Sequence, residues 1–251
     1  MLSLNARGDY SFLKGISPYS AGVAALKGFA IEHVRLSRPV AWKKGFALID
    51  QRLRAAGRPR QALCAIALRS PQPFSFTGFN GFNAGYVDML RSWEILLDDG
   101  VNPVARTNVA PELDPPKEPS LYSFAYTVKA DGTPASFVVA GAGELPEGSL
   151  DPHDVIRMGE TSREAIAAKA RFVLGLMDGR LRGLGAGWNN VTVTNIYTVH
   201  DVNAVLAAEI LPRIGAAGQH GVTWHYTRPP IISIEFEMDL RGCPRETVIS
   251  G

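Results

Sequence analysis

Apolar and polar positions alternate with two different periodicities along the chain, one typical of strands and one of helices. Each change of periodicity predicts a change from one type of element to the other. In the first half, short apolar or alternating runs predict strands at 29–36, 61–68, 104–110 and 120–128. Apolar residues at three- and four-residue intervals predict helices at 40–56, after Pro39, and at 82–97. The first half therefore has the order strand, helix, strand, helix, strand, strand.

The second half has the same order after a predicted turn or linker at 129–134. Strands are predicted at 135–140, 190–199, 222–227 and 231–240, and helices at 161–181 and 202–214. Thr161 and Glu164 have capping-box spacing at the start of the longer helix. The structural order repeats although the sequence barely does. We predict two domains, 1–130 and 131–251, each a mixed sheet with two helices on one face.

Composition narrows the class of protein. The chain has 251 residues, 46% of them hydrophobic, and a formal net charge of +2. No basic run indicates a nucleic-acid partner, since the four arginines between 52 and 60 close a predicted helix and a turn. No apolar segment reaches the roughly 18 residues of a membrane span, and the N-terminus lacks a signal-peptide pattern. The two cysteines form no Cys-x-x-Cys pair, so we expect a cytoplasmic protein without membrane contact.

The runs that resemble cofactor or metal motifs lack the neighbouring elements or the spacing that such sites require. The glycine-rich run 183–187 follows a helix instead of a strand, so it predicts a helix stop and not a dinucleotide site. In the run that begins Gly141-Ala142-Gly143, Pro146 stands where a third glycine would be needed. The five histidines have no metal-ligand spacing. We expect neither a cofactor nor a metal.

Specific residues resemble the RidA (YjgF-like) family. In the second half the resemblance runs from the segment 136–148 through 159–205 to the closing Ile234-Glu235-Phe236-Glu237. In the first half, Ile16-Ser17-Pro18-Tyr19-Ser20 is similar to the family's opening segment, and Val104-Ala105-Arg106-Thr107 to its substrate-arginine segment. The resemblance implies an α/β (α+β) fold of two degenerate RidA/chorismate-mutase-like domains.

The resemblance also implies a site. Family members are trimers with clefts between neighbouring subunits, so a homotrimer of two-domain chains is expected. Arg106 would hold a substrate carboxylate, and Tyr19 corresponds to a site tyrosine. The second half has His220 in place of the arginine, whereas the closing strand of the first half has no carboxylate. We therefore hypothesise a working cleft between unlike halves, with Arg106 from one and Glu235 from the other.

Each candidate residue has a structural alternative. Arg106 presents a planar fork that suits a carboxylate, but it could be a surface residue of an edge strand. Glu235 could move protons if burial raises its pKa, or it could be a solvated strand residue on the same face as Glu237. Tyr19 could simply pack beside Pro18.

The remaining candidates are cationic or polar. His220 could bind a second carboxylate, or it could belong to a core face with Val222, Trp224 and Tyr226. Arg228 and Arg38 are further cations for an acidic substrate. Asn83 and Asn203 are predicted to cap helices.

The resemblance indicates an enamine or imine deaminase without a metal. Double-length members of the family include deaminases of 2-aminomuconate-like acids from aromatic degradation, so a small carboxylate-bearing substrate is expected. A non-catalytic ligand-binding member is one alternative. Endoribonuclease activity is another, and it would need a basic groove that the charge pattern does not show.

Overall fold

The computed structural model describes residues 2–132 and 135–251; of the predicted turn at 129–134, Thr133 and Pro134 lie outside these ranges. The strands are β1 (Leu2–Asn5), β2 (Tyr10–Leu13), β3 (Gly22–Ala25), β4 (Phe29–Ala41), β5 (Leu63–Arg69), β6 (Ala105–Pro111), β7 (Ser120–Lys129), β8 (Phe137–Gly143), β9 (Val193–Thr198), β10 (Thr223–Arg228), β11 (Glu237–Gly242) and β12 (Arg245–Ile249). The helices are α1 (Trp42–Ala55), α2 (Phe76–Ser92), α3 (Arg163–Gly183), α4 (Asn203–Val205) and α5 (Leu211–Ile214), and a π-helical turn, Leu206–Ile210, joins the last two.

The two halves have one topology. In the first half the strand order is β4-β7-β5-β6, and in the second it is β8-β11-β9-β10. In both, only the last pair is parallel and the other pairs are antiparallel. The predicted repeat of strands and helices is confirmed, and so is the mixed α/β class.

The terminal segments cross from one half to the other. Strands β1, β2 and β3 extend the sheet of the second half beyond β8, whereas β12 pairs in parallel with β4 of the first half. The chain position predicted to separate the domains falls between β7 and β8. Each half is thus completed by the chain terminus of the other.

Local capping sets the helix starts. The Ser75 hydroxyl accepts a hydrogen bond from Gly78 N at 3.0 Å, so α2 begins before the predicted position 82. Helix α3 is capped by Ser162, whose hydroxyl accepts from Ala165 N at 3.2 Å. The prediction of Thr161 as the cap was therefore wrong by one residue.

Three apolar clusters hold the sheet and its helices together. One core lies between the sheet and helices of the first half, and a second fills the same position in the second half. A third cluster, which includes Phe12, Ala105, Ala125 and Ala140, joins strands of both halves. The halves are also joined by hydrogen bonds, since Ser20 N donates to Val104 O at 2.9 Å and Ala140 N donates to Ala21 O at 3.1 Å. Strands β6 and β8 therefore meet at a fixed junction.

The helices and the two cysteines also bear on membrane spans and disulfides. Within residues 2–132 and 135–251, no helix is long and apolar enough to cross a lipid bilayer. Cys64 and Cys243 are buried free thiols.

Candidate active site

A cavity of about 70 Å³ lies at the junction of the two halves. Strand β6 and helix α2 of the first half form one wall, and β8, α3 and the start of β11 form the other. The polar and charged side chains that line it are those of Tyr19, Arg106, Asn108, Glu147, Ser149, Arg180 and Glu237. We call it the junction cavity. It brings together cations and carboxyl groups that are far apart in sequence.

Arg106 is buried with its guanidinium among aromatic rings. Its Cζ lies 4.5 Å from the ring centroid of Tyr19 and 4.8 Å from that of Tyr86, and the rings of Phe79 and Phe82 are within 6 Å. Burial lowers the pKa of Arg106, although guanidinium groups stay charged at neutral pH. Ring faces stabilise the cation without using its N–H groups. The guanidinium of Arg106 is therefore held in place by the rings, and its N–H groups can still donate hydrogen bonds to a ligand.

Asn83 orients the fork of Arg106. Its side-chain oxygen accepts a 2.7 Å hydrogen bond from Arg106 Nη2, whereas Arg106 Nη1 is buried without a partner among the described residues. A buried donor without a partner costs about 1–3 kcal/mol, so this nitrogen is a natural position for a ligand acceptor. The prediction that Asn83 caps a helix was wrong, because α2 starts seven residues earlier.

Glu237 is the carboxyl group on the opposite wall. It is 4% exposed, and no hydrogen bond to its carboxyl is found within residues 2–132 and 135–251. Burial, together with the nearby Asp239 and Glu144, raises the pKa of Glu237 well above the ordinary 4.5, against the opposing effect of Arg180 and Arg106. The side chain therefore holds its proton to a higher pH than an ordinary glutamate does.

Gly141 makes room for Glu237. A Cβ at position 141 would lie 2.1 Å from Glu237 Oε1, so the carboxyl packs directly on the strand backbone. Thr107 fixes this backbone, since its hydroxyl accepts from Gly141 N at 3.0 Å and donates to Asp239 at 2.7 Å. Asp239 also accepts from Asn195 and Tyr197. The junction beneath the cavity is thus held by a buried polar network.

Tyr19 lies beside the arginine, in the segment that precedes β3. It lines the cavity, and burial raises the pKa of its phenol, against the effect of Arg106. The hydroxyl therefore stays protonated over the range in which most enzymes work. It is available as a hydrogen-bond donor on the Arg106 side.

A second guanidinium enters from the opposite side. Arg180 lies on the buried face of α3 and forms a double hydrogen bond with Glu147, at 2.6 Å and 3.0 Å. Its remaining nitrogen donates to Ala140 O at 2.8 Å and to Gly141 O at 3.3 Å. A signal was present in the sequence, because Arg180 occupies a mostly apolar stripe of the helix that includes Val173 and Met177. We did not single it out as a site residue.

Three predicted site residues lie outside the junction cavity. Glu235 does not line it, and its carboxyl contacts His200 Nε2 at 2.8 Å. Arg228 pairs with Glu112 at 2.6 Å. His220 is exposed at the end of a 3-10 turn and lies in no strand.

The proposed core face around His220 is also wrong. Trp224 and Tyr226 are 43% and 46% exposed, whereas His225 points inward and stacks on Tyr197. Arg38 is exposed on β4, away from the junction cavity. Asn203 begins α4, but Asp201 supplies the side-chain oxygen that accepts from its N–H. None of these side chains lines the cavity.

A larger cavity, of about 430 Å³, lies between the inner faces of the two half-sheets. Of the arginines that line it, Arg106 also lines the junction cavity, and the half-buried Arg241 is already paired with Glu246. Burial lowers the pKa of His33 well below 6.5 and that of His225 to about 4, so both rings are neutral at pH 7. An acidic ligand is better served by the junction cavity. Within the described ranges, no three His, Cys, Asp or Glu side chains are grouped as metal ligands.

A family model and a curated relative identify the family of this chain. The sequence model of the family described as 2-aminomuconate deaminase CnbZ matches residues 2–247. The 2-amino-5-chloromuconate deaminase of Comamonas testosteroni is 43% identical over 245 residues, 96% of each chain. A chorismatase crystal structure shares the fold, with a TM-score of 0.52 at 11% identity over 89% of this chain and 77% of that one. The YjgF gene product of E. coli matches 46% of this chain and 85% of its own, with 16% identity and a TM-score of 0.26.

Proposed function

The chain belongs to the 2-aminomuconate deaminase CnbZ family, and we propose that its junction cavity deaminates a 2-aminomuconate-type enamine acid. The observation that supports this most is the presence of two incompletely satisfied groups in one cavity. These are a fixed guanidinium, Arg106, with a free buried N–H, and a buried acid, Glu237, with no hydrogen-bond partner among the described residues. The family name supplies the reaction and the cavity supplies the groups that it needs.

The reaction has two stages and balances with water alone. A proton is added to a carbon of the enamine, the carbon–carbon double bond shifts, and the amino carbon becomes an imine carbon. Water then adds to that carbon, the carbon–nitrogen bond breaks, and ammonia leaves with the electron pair and a proton. The products are the 2-oxo acid and ammonia, so this is a hydrolysis for which no metal or redox partner is required.

Arg106 would hold the carboxylate next to the amino carbon. Nη1 is the free donor of the fork, and Asn83 keeps the plane of the guanidinium fixed through Nη2. A carboxylate that accepts from Arg106 places the amino carbon at a defined distance from the opposite wall. Binding and orientation are therefore performed by one group.

Glu237 would supply the proton. Its raised pKa favours the protonated carboxyl, which is the form that a general acid requires. After it has donated the proton, the carboxylate is stabilised by the nearby positive charges of Arg106 and Arg180 and can accept a proton from the attacking water. Tyr19, whose phenol stays protonated, would donate a hydrogen bond on the Arg106 side.

Ammonia release tests this function. We expect the wild type to release ammonia from 2-aminomuconate generated in situ. Arg106→Ala should lower kcat/KM by roughly 30- to 5,000-fold, since the loss of a buried charged partner costs about 2–5 kcal/mol. Arg182→Ala, which removes an exposed arginine of α3, should leave kcat/KM unchanged. Full turnover by Arg106→Ala, or no ammonia from the wild type, would contradict the proposal.

The alternative of a ligand-binding protein without turnover has less support. It assumed that the loss of the arginine from one half and of the acid from the other had removed the site. The junction cavity contains both groups, one from each half. Binding of a 2-oxo acid without any ammonia release from the enamine would favour the alternative.

A further inference from the structure

We propose that Arg180 is the binding site for a second carboxylate of the substrate, and that Glu147 occupies this position until the substrate arrives. The inference rests on the proposed function and assigns a residue to the second carboxylate that a muconate-type acid carries. Arg106 would hold the end that carries the amino group. Arg180 would hold the other.

The position of the two arginines supports this assignment. Both line the junction cavity, but Arg106 enters from β6 of the first half and Arg180 from α3 of the second. Both are buried, with exposures of 2% and 7%. Glu237 lies within electrostatic reach of both. A linear diacid held by both arginines would therefore extend past the proton donor.

The Arg180–Glu147 pair already has the geometry of carboxylate binding. Glu147 accepts from Arg180 Nε and Nη2 in parallel, which is how a planar fork holds a carboxylate. The third nitrogen of the fork is fixed by the backbone of β8. A substrate carboxylate could replace that of Glu147 without any change in Arg180.

Glu147 is free to leave, whereas Arg180 is not. The Glu147 side chain is 46% exposed and the Arg180 side chain only 8%. The loop that carries Glu147 is fixed at its base, because the neighbouring Glu144 is fully buried and accepts from Lys169 Nζ at 2.9 Å. Rotation of Glu147 into solvent would thus release Arg180 while the loop stays anchored.

The size of the cavity requires some such movement. Its volume of about 70 Å³ is well below the roughly 300–1,000 Å³ of ordinary small-molecule sites. Glu147 belongs to the exposed part of the lining, so its departure enlarges the cavity where a longer ligand needs space. Charge also favours the exchange, because the two guanidinium groups then face two carboxylates.

Two stable acids of equal length test the proposal by calorimetric titration. trans,trans-Muconate has a carboxylate at each end of a four-carbon diene, and sorbate has a methyl group in place of one. We expect wild type to bind muconate more tightly than sorbate. Arg180→Gln should weaken muconate binding roughly 10- to 100-fold, the loss of one charge-assisted contact, and leave sorbate binding unchanged. Arg182→Gln, an exposed neighbour on α3, is the matched control and should change neither.

Glu147→Gln provides a second test that does not disturb the buried arginine. Removal of the competing charge should tighten muconate binding roughly three- to tenfold and leave sorbate binding unchanged. A structural ion pair would not give this result. Equal affinity of the wild type for the two acids, no binding of muconate, or unchanged muconate binding in both variants would overturn the proposal. These titrations need no turnover, so their outcome is independent of whether ammonia is released from 2-aminomuconate.

Discussion

Glu235 and Glu237 show how a difference of two positions changes the surroundings of a carboxyl group. Two residues earlier, Glu235 contacts His200 at the protein surface, whereas Glu237 faces a cavity and has no hydrogen-bond partner in the described parts of the chain. The alternation of the closing strand indicated that both glutamates share a face. It could not show that residues 231–236 are irregular and that β11 begins only at Glu237. Arg106 and Tyr19 were found from their sequence context, and the partner acid was not.

The raised pKa of Glu237 predicts a pH-dependent loss of stability. Below pH 4.5 the group is protonated in both the folded and the unfolded state, so it has no effect. As the pH rises above 4.5, the unfolded state loses the proton first, and the free energy of unfolding falls until the pH passes the raised pKa of the folded state. Glu237→Gln removes this cost.

Thermal unfolding measured from pH 4 to pH 8 checks the prediction. The Tm of Glu237→Gln should rise relative to that of the wild type as the pH increases, with the largest difference at the alkaline end. Glu235→Gln serves as the matched control for the loss of a carboxylate from the same segment. A Tm difference between wild type and Glu237→Gln that does not depend on pH would show that the carboxyl ionises normally.

At the scale of elements, the repeated order could be predicted but the terminal strands could not. Long helices such as α3 give a strong periodic signal, and β5, between two helices, is apolar up to its last residue. By contrast, β1, β2 and β3 have four residues each, too few for alternation to be recognised. The pairing of β3 with β8 depends on contacts between distant parts of the chain, which strand propensity does not encode.

Strand β12 should contribute measurably to stability, because it covers the edge of β4. Arg245–Ile249 pairs in parallel with Glu32–Leu36, and Glu246 binds Arg241. Deletion of residues 244–251 should cost about 1–3 kcal/mol, or about 2–12 °C in Tm. Val248→Ser, at a position 56% exposed, should leave Tm within about 1 °C of the wild type because surface changes are mild. An unchanged Tm in the deletion variant would contradict the prediction and show that the pairing of β12 with β4 does not stabilise the fold.

At the scale of the whole molecule, the proposed site lies where the two similar halves differ from each other. The first half retains the guanidinium of Arg106, and the second retains the acid Glu237 and adds Arg180. Sequence resemblance suggested a cleft between unlike halves; the structure puts these residues around one cavity within a single chain. The homotrimer expected from the resemblance remains a proposal. The exchange of terminal segments fixes the two halves together and so fixes the distance between the arginine and the acid.

The most direct test of the account compares two glutamates that are two residues apart. Initial rates of ammonia release from 2-aminomuconate would be measured for wild type, Glu237→Gln and Glu235→Gln, each checked for the wild-type fold by circular dichroism. Loss of the proton donor should lower kcat by roughly 10²- to 10⁴-fold in Glu237→Gln, while Glu235→Gln should stay within about threefold of the wild type. The opposite pattern, with full activity in Glu237→Gln and loss in Glu235→Gln, would place the chemistry outside the junction cavity and contradict the account.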